Sequence, residues 1–209
     1  MKNNLRATKL LNYTHSSLVA MRSTALKGVH GTTKTKLRAL YEAVTKLPLG
    51  YSRNDNIPAS EVLHDGYGQC NTKAILLLAL ARGAGIPSRV HAYSLTKELQ
   101  RERHAAWLVF FMPRATLFFW PEFFIDKKWR PLEEIVYEKK KEWNSCPFDG
   151  ARYVLEPVPV NFVEEDHDVW DSPDAYFEKH KPTLSGWRKL GFALLGRRLM
   201  NARLKKGAC

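Results

Sequence analysis

Cysteine is scarce in this chain: among 209 residues there are three, at positions 70, 146 and 209. Spaced so widely, they build no disulfide framework, and no C-x-x-C pair or His/Cys cluster has metal-ligand spacing. Neither a disulfide-stapled scaffold nor a structural zinc is therefore expected, and no cofactor is implied. Long apolar runs are lacking too. No stretch nears the roughly 20 residues of a membrane span, and Met1 to Arg6 lead into no leader-like apolar run, so the expected setting is the reducing cytoplasm. Acidic residues are scarce at both ends. Residues 1–53 carry ten Lys/Arg against one acid and residues 179–209 nine against none, while residues 54–178 carry fourteen against twenty. The net charge of +12 thus lies at the termini. It is not interleaved with any helix-turn-helix, RRM or OB pattern, so no specific nucleic-acid partner is expected. The basic ends suit an anionic partner or a membrane surface.

What is present is enough apolar material for one substantial core, with 44% hydrophobic and 11% aromatic residues. The chain divides into a folded domain over residues 1–160 and an extension over 161–209, an acidic linker followed by a basic amphipathic helix. In that helix Trp187, Leu190 and Leu194, and Phe192, Leu195 and Leu199, recur at helical spacing. Thr32 and Thr33 cap a predicted helix from Lys34 to Leu47, closed by Pro48 and Gly50. Tyr51 to His64 reads as a polar entry loop, and Ser94 to Arg103 as a short helix or a loop over the site. Ala106–Phe111 and Leu117–Trp120 read as two antiparallel strands covered on both faces. The acidic run Glu164 to Asp168 is of the solvated-loop kind.

One cysteine stands out. Cys70 closes Gly66-Tyr67-Gly68-Gln69-Cys70, a glycine-punctuated turn that runs straight into the apolar stretch Ala74 to Ala81. A cysteine opening a buried helix is a candidate nucleophile, because the unsatisfied N–H groups and partial positive charge of a helix N-terminus favour thiolate over thiol. The plain alternative is a small buried thiol that only packs.

Read as a unit, Gly66 to Cys70, Lys73-Ala74, Leu76 to Arg82 and Ala84-Gly85-Ile86-Pro87-Ser88-Arg89-Val90 resemble the cysteine-helix motif of the transglutaminase-like superfamily. Trp120-Pro121-Glu122-Phe123-Phe124-Ile125-Asp126-Lys127-Lys128-Trp129 is similar to that family's strand, Asp-containing turn and Trp-led second strand, and weaker similarity extends the match to roughly residues 12–155. The resemblance implies an α+β, papain/transglutaminase-like fold, with the Cys-bearing helix packed on an antiparallel sheet, and a Cys-His-Asp triad. Two of the three positions depart from it. Phe118 stands where the family has its histidine, and Glu133 where it has aspartate. Lys127 replaces the usual turn glycine, which is uncomfortable at positive φ.

Two accounts follow. In one, His104 of His104-Ala105-Ala106-Trp107 supplies the imidazole, Glu133 orients it, and Gln69 and Trp120 contact substrate or oxyanion. A peptide, protein or other amide or ester is then the substrate of a Cys70 acyl-enzyme. His91 is a further imidazole, read as structural within its strand. In the other account general-base chemistry is done differently, by a thiolate activated only by the helix terminus with Gln69 or backbone N–H groups holding the oxyanion, or it is lost and the degenerate fold serves as a peptide- or partner-binding module.

Overall fold

The computed structural model describes residues 3–52, 54–96, 98, 116–136, 163–180 and 201. His104, the strand expected at Ala106–Phe111 and nearly all of the basic C-terminal helix lie outside the described residues.

Among the described residues, four α-helices precede the sheet: α1 (Ser16–Leu26), α2 (Thr33–Thr45), α3 (Ala59–Asp65) and α4 (Cys70–Gly83). The Thr32 hydroxyl accepts the Thr35 N–H at 3.3 Å and caps α2, whose apolar stripe Leu37, Leu40 and Val44 is fully buried. The centre is α4, buried from Asn71 to Arg82 without interruption, so it is packed on all sides. It stops at Gly85, which takes φ +77°, while Ile86 N–H reaches Ala81 O and Gly85 N–H reaches Arg82 O, each at 2.9 Å. A residue with a Cβ would be strained there, and this paired C-terminal bonding is what glycine permits. Arg82, 3% exposed, donates to the carbonyls of Arg6 at 2.7 Å, Ser88 at 2.8 Å and Asp171, tying the start of β1 and two distant segments to the helix end.

The sheet contains β1 (Ser88–Leu95), β2 (Thr116–Ile125), β3 (Lys128–Pro131) and β4 (Val163–Trp170) in the order β3-β2-β1-β4, antiparallel at every pairing. Helix α5 (Leu132–Val136) follows β3 and α6 (Pro173–Lys179) follows β4. Strand alternation sorts the residues. Val90, Ala92, Phe119 and Phe123 form a fully buried face, with Phe119 edge-on to Tyr176 and Phe177 of α6. Arg89, His91 and Tyr93 share the other face with Glu122, Trp120 and Phe118, their respective cross-strand partners.

Three readings of the sequence need correction. The entry loop Tyr51–His64 contains α3, because Pro58 pre-sets the chain for a helix start and Ala59 and Val62 find full burial. Ser94 and Leu95 continue β1, where Leu95 is buried and the Ser94 hydroxyl lies 2.6 Å from His167 Nε2. The acidic run is not a solvated loop but strand β4, so the sheet draws on chain beyond residue 160. Its carboxylates stay in water because only its backbone is needed to pair with β1. Among the described residues no helix is long and apolar enough to cross a membrane.

Candidate functional site

The site is built where α4 begins. Pro48–Gly50 runs beside Gly68, with Gly68 N–H donating to Pro48 O at 3.1 Å and Gly50 N–H to Gly68 O at 3.2 Å. Gly68 is glycine for space: a Cβ there would lie 2.9 Å from Thr72 Oγ1 and 3.0 Å from Lys73 Cγ. Gln69 is the N-cap residue, and its N–H donates to the Thr72 hydroxyl at 3.0 Å, one half of a capping box. Its side-chain amide serves the entry segment, accepting Ser52 N–H at 3.1 Å through Oε1 and donating through Nε2 to Asp55. The Asp55 carboxyl is pushed up by burial, partly offset by hydrogen bonds from Gln69 and Asn71.

Cys70 is therefore the first residue of a helix whose start is fixed on both sides. Its thiol is reduced and half-buried against the core. The next residue does what no motif announced. Asn71, 2% exposed, donates from Nδ2 to Leu117 O and accepts Phe119 N–H at Oδ1, both at 2.9 Å. One side-chain amide thus stands in for a strand residue along β2, next to Phe118, where β3 does not reach. A buried asparagine among aliphatic helix residues was the only available signal.

Phe118 is 5% exposed and stacks on Trp120 with ring centroids 5.7 Å apart. Trp120 in turn donates its indole N–H to Glu133 Oε2 at 2.5 Å, so two of the predicted site residues meet each other. Burial pushes the Glu133 carboxyl up, against the Trp120 hydrogen bond. His91 is occupied within the sheet. Nε2 lies 2.7 Å from Asp166 Oδ1 and Nδ1 lies 2.8 Å from the Tyr93 hydroxyl, so with Nε2–H donating to the carboxylate, Nδ1 accepts the phenol. Burial and the carboxylates of Asp166, Glu122 and Glu133 push the Tyr93 phenol up to about 12. Among the described residues, no group of three His, Cys, Asp or Glu side chains is placed to hold a metal ion.

A cysteine-led central helix is thus tied to an antiparallel sheet and followed by the strand-turn-strand of β2 and β3. The model of the transglutaminase-like superfamily matches residues 21–134, and the chain belongs to that family. No curated protein matches it. Among solved structures, one titled a "Putative Cysteine Protease" from Cytophaga hutchinsonii is similar at a TM-score of 0.50 and 16% identity, over 80% of this chain and 46% of that one. A "Putative Protease" from Parabacteroides distasonis is similar at a TM-score of 0.39 and 16% identity, over 62% of this chain and 25% of that one. The chain thus spans less than half the length of either structure. The first likeness supports a cysteine-protease-like fold.

Proposed function

We propose that this protein is a cysteine-dependent acyl-transfer or amide-hydrolysing enzyme acting through an acyl-enzyme on Cys70. The observation that carries the reading is the placement of Cys70: first residue of the buried central helix, half-exposed, with Asn71 holding that turn against β2. In the reaction the Cys70 thiolate attacks the carbonyl carbon of a peptide or other amide or ester, and the carbonyl electron pair moves to oxygen. Collapse forms the thioester, breaks the C–N or C–O bond and expels the amine or alcohol, which takes up a proton. Water or a second amine then attacks the thioester and returns the thiol. The first-turn N–H groups of α4 are candidate donors to the transient oxyanion. Residue 118 cannot move a proton, so that task falls to another group, with His104 the candidate offered by the sequence.

Phe118 favours one rival, a degenerate member that binds a peptide without cleaving it. Iodoacetamide labelling of the full chain, read by mass spectrometry, separates the two, with Cys146 and Cys209 as internal references. The enzyme reading expects Cys70 to label fastest at neutral pH and to gain an acyl group from an activated ester, with no adduct at residue 70 in Cys70→Ala. A Cys70 that stays unlabelled and takes up no acyl group supports the binding module.

A further inference from the structure

We propose that Lys73 is the charge partner of Cys70: its buried ammonium holds the thiolate, supplying by fixed charge the support that an imidazole at position 118 would have given. The inference rests on the acyl-enzyme reading and deepens it.

Cys70 and Lys73 are three residues apart on α4, which puts them on one face, with Cβ atoms about 5–6 Å apart. Helical side chains lean toward the N-terminus, so the lysine stem runs back toward the turn that holds the cysteine. The structure bears this out in the loop: a Cβ on Gly68 would lie 3.0 Å from Lys73 Cγ, so the stem lies against the backbone two residues before Cys70. The glycine before the cysteine and the lysine after it are thereby one device. Gly68 leaves the space through which Lys73 passes.

The head of this side chain is in an unusual position for a lysine. The residue is 0% exposed, and Nζ donates to Leu47 O at 2.5 Å. An ammonium carries three N–H donors and a full charge, and one carbonyl compensates little of either. Buried charge persists where an opposite charge answers it. Burial pushes Lys73 down to about 8, and the charge opposing that push is Cys70. Such coupling is reciprocal, so a thiolate that favours the ammonium is equally favoured by it. Among the described residues, the other titratable groups around the site are engaged with partners of their own. Asp55, reached by Gln69 and Asn71 on either side of Cys70, is pushed toward its neutral form by burial, as is Glu133 beyond Phe118 and Trp120. His91 and Tyr93 are engaged with each other, and Glu122 pairs with Arg89 at 2.6 Å. The thiol proton leaves to solvent, and Lys73 keeps its own.

The test is the pH dependence of Cys70 carboxamidomethylation in the full chain, for wild type, Lys73→Met and Lys73→Arg, with folding checked by circular dichroism. In wild type the reactive form should appear below the ordinary thiol range. Lys73→Met should move the midpoint up by about one pH unit or more, a roughly tenfold loss of rate near pH 6.5, and Lys73→Arg should recover much of it. A folded Lys73→Met with the wild-type profile overturns the pairing and leaves the acyl-enzyme reading intact. A wild-type Cys70 without reactivity overturns both. Should Lys73→Met not fold, the reciprocal measurement decides: in Cys70→Ser, the NMR titration of 13C-labelled Lys73 should move to lower pH, and an unmoved midpoint overturns the pairing.

Discussion

The indole N–H of Trp120 and the carboxylate of Glu133 are joined at 2.5 Å, so the acid expected to orient an imidazole holds a tryptophan. This bond packs the Phe118–Trp120 stack onto α5. Trp120→Phe keeps most of the apolar contact and deletes the donor. It should cost about 1–3 kcal/mol, the penalty of leaving a partly buried acceptor without its partner. Urea unfolding is the measurement, and an unchanged midpoint would count against a structural role for the pair.

The β2–β3 hairpin turns through Asp126 at φ +53° and Lys127 at φ +62°. Both are left-handed, as a two-residue turn of this type demands, and lysine is poorly suited to it. Lys127→Gly should stabilise the fold by up to about 1 kcal/mol, with the midpoint rising and the denaturant slope unchanged. A lower midpoint would mean that the lysine side chain contributes something the strain does not outweigh.

The Asn71 amide serves Leu117 O and Phe119 N–H together. Asn71→Leu fits the volume but abandons both groups, and should cost about 2–5 kcal/mol. Hydrogen exchange gives the local readout: the Phe119 amide should lose protection well beyond that of β1. Equal loss across the sheet would mean that the substitution lowers global stability only.

Asp55 gives a pH signature. Its carboxyl pKa is raised in the folded state, so over a window above 3.8 the folded protein keeps a proton that the unfolded chain has released. Stability therefore falls as pH rises through that window, and the penalty is complete above it. Asp55→Asn retains an oxygen to accept from Gln69 and carries no charge. Its melting temperature should exceed that of wild type at pH 7.5, with the gap closing as pH falls toward 4. A gap that persists or widens in acid would contradict the assignment.

The parts of the fold that announce themselves do so through local signals. The apolar run Ala74–Ala81 between a glycine turn and Gly85-Ile86-Pro87 marks α4, and Asp126 with Trp129 marks the hairpin. What stayed hidden depends on partners far along the chain. Glu164–Asp168 has the composition of a loop, and it is a strand because β1 offers it a free backbone edge. Pro58 disguised the short helix α3 as part of a loop. Around α4, Cys70, Gln69, Trp120 and Glu133 stand out in the sequence as candidates, but the bond between the last two does not. Asn71 acts through backbone groups 46 and 48 residues away, which no spacing rule reaches. Lys73 stands in the cysteine-helix motif, but its full burial against the Gly68 loop is not legible from the motif.

Strand β4 also bears on how copies of the protein meet. Glu164, Glu165 and Asp168 are exposed, and Asp168 at φ +63° bends the strand out of regular pairing. Among the described residues β4 is the outermost strand on its side of the sheet, and two such strands approaching each other bring like charges together as their backbones come within bonding range. The same carboxylates that give this segment the composition of a loop therefore act as a barrier to sheet-to-sheet self-association.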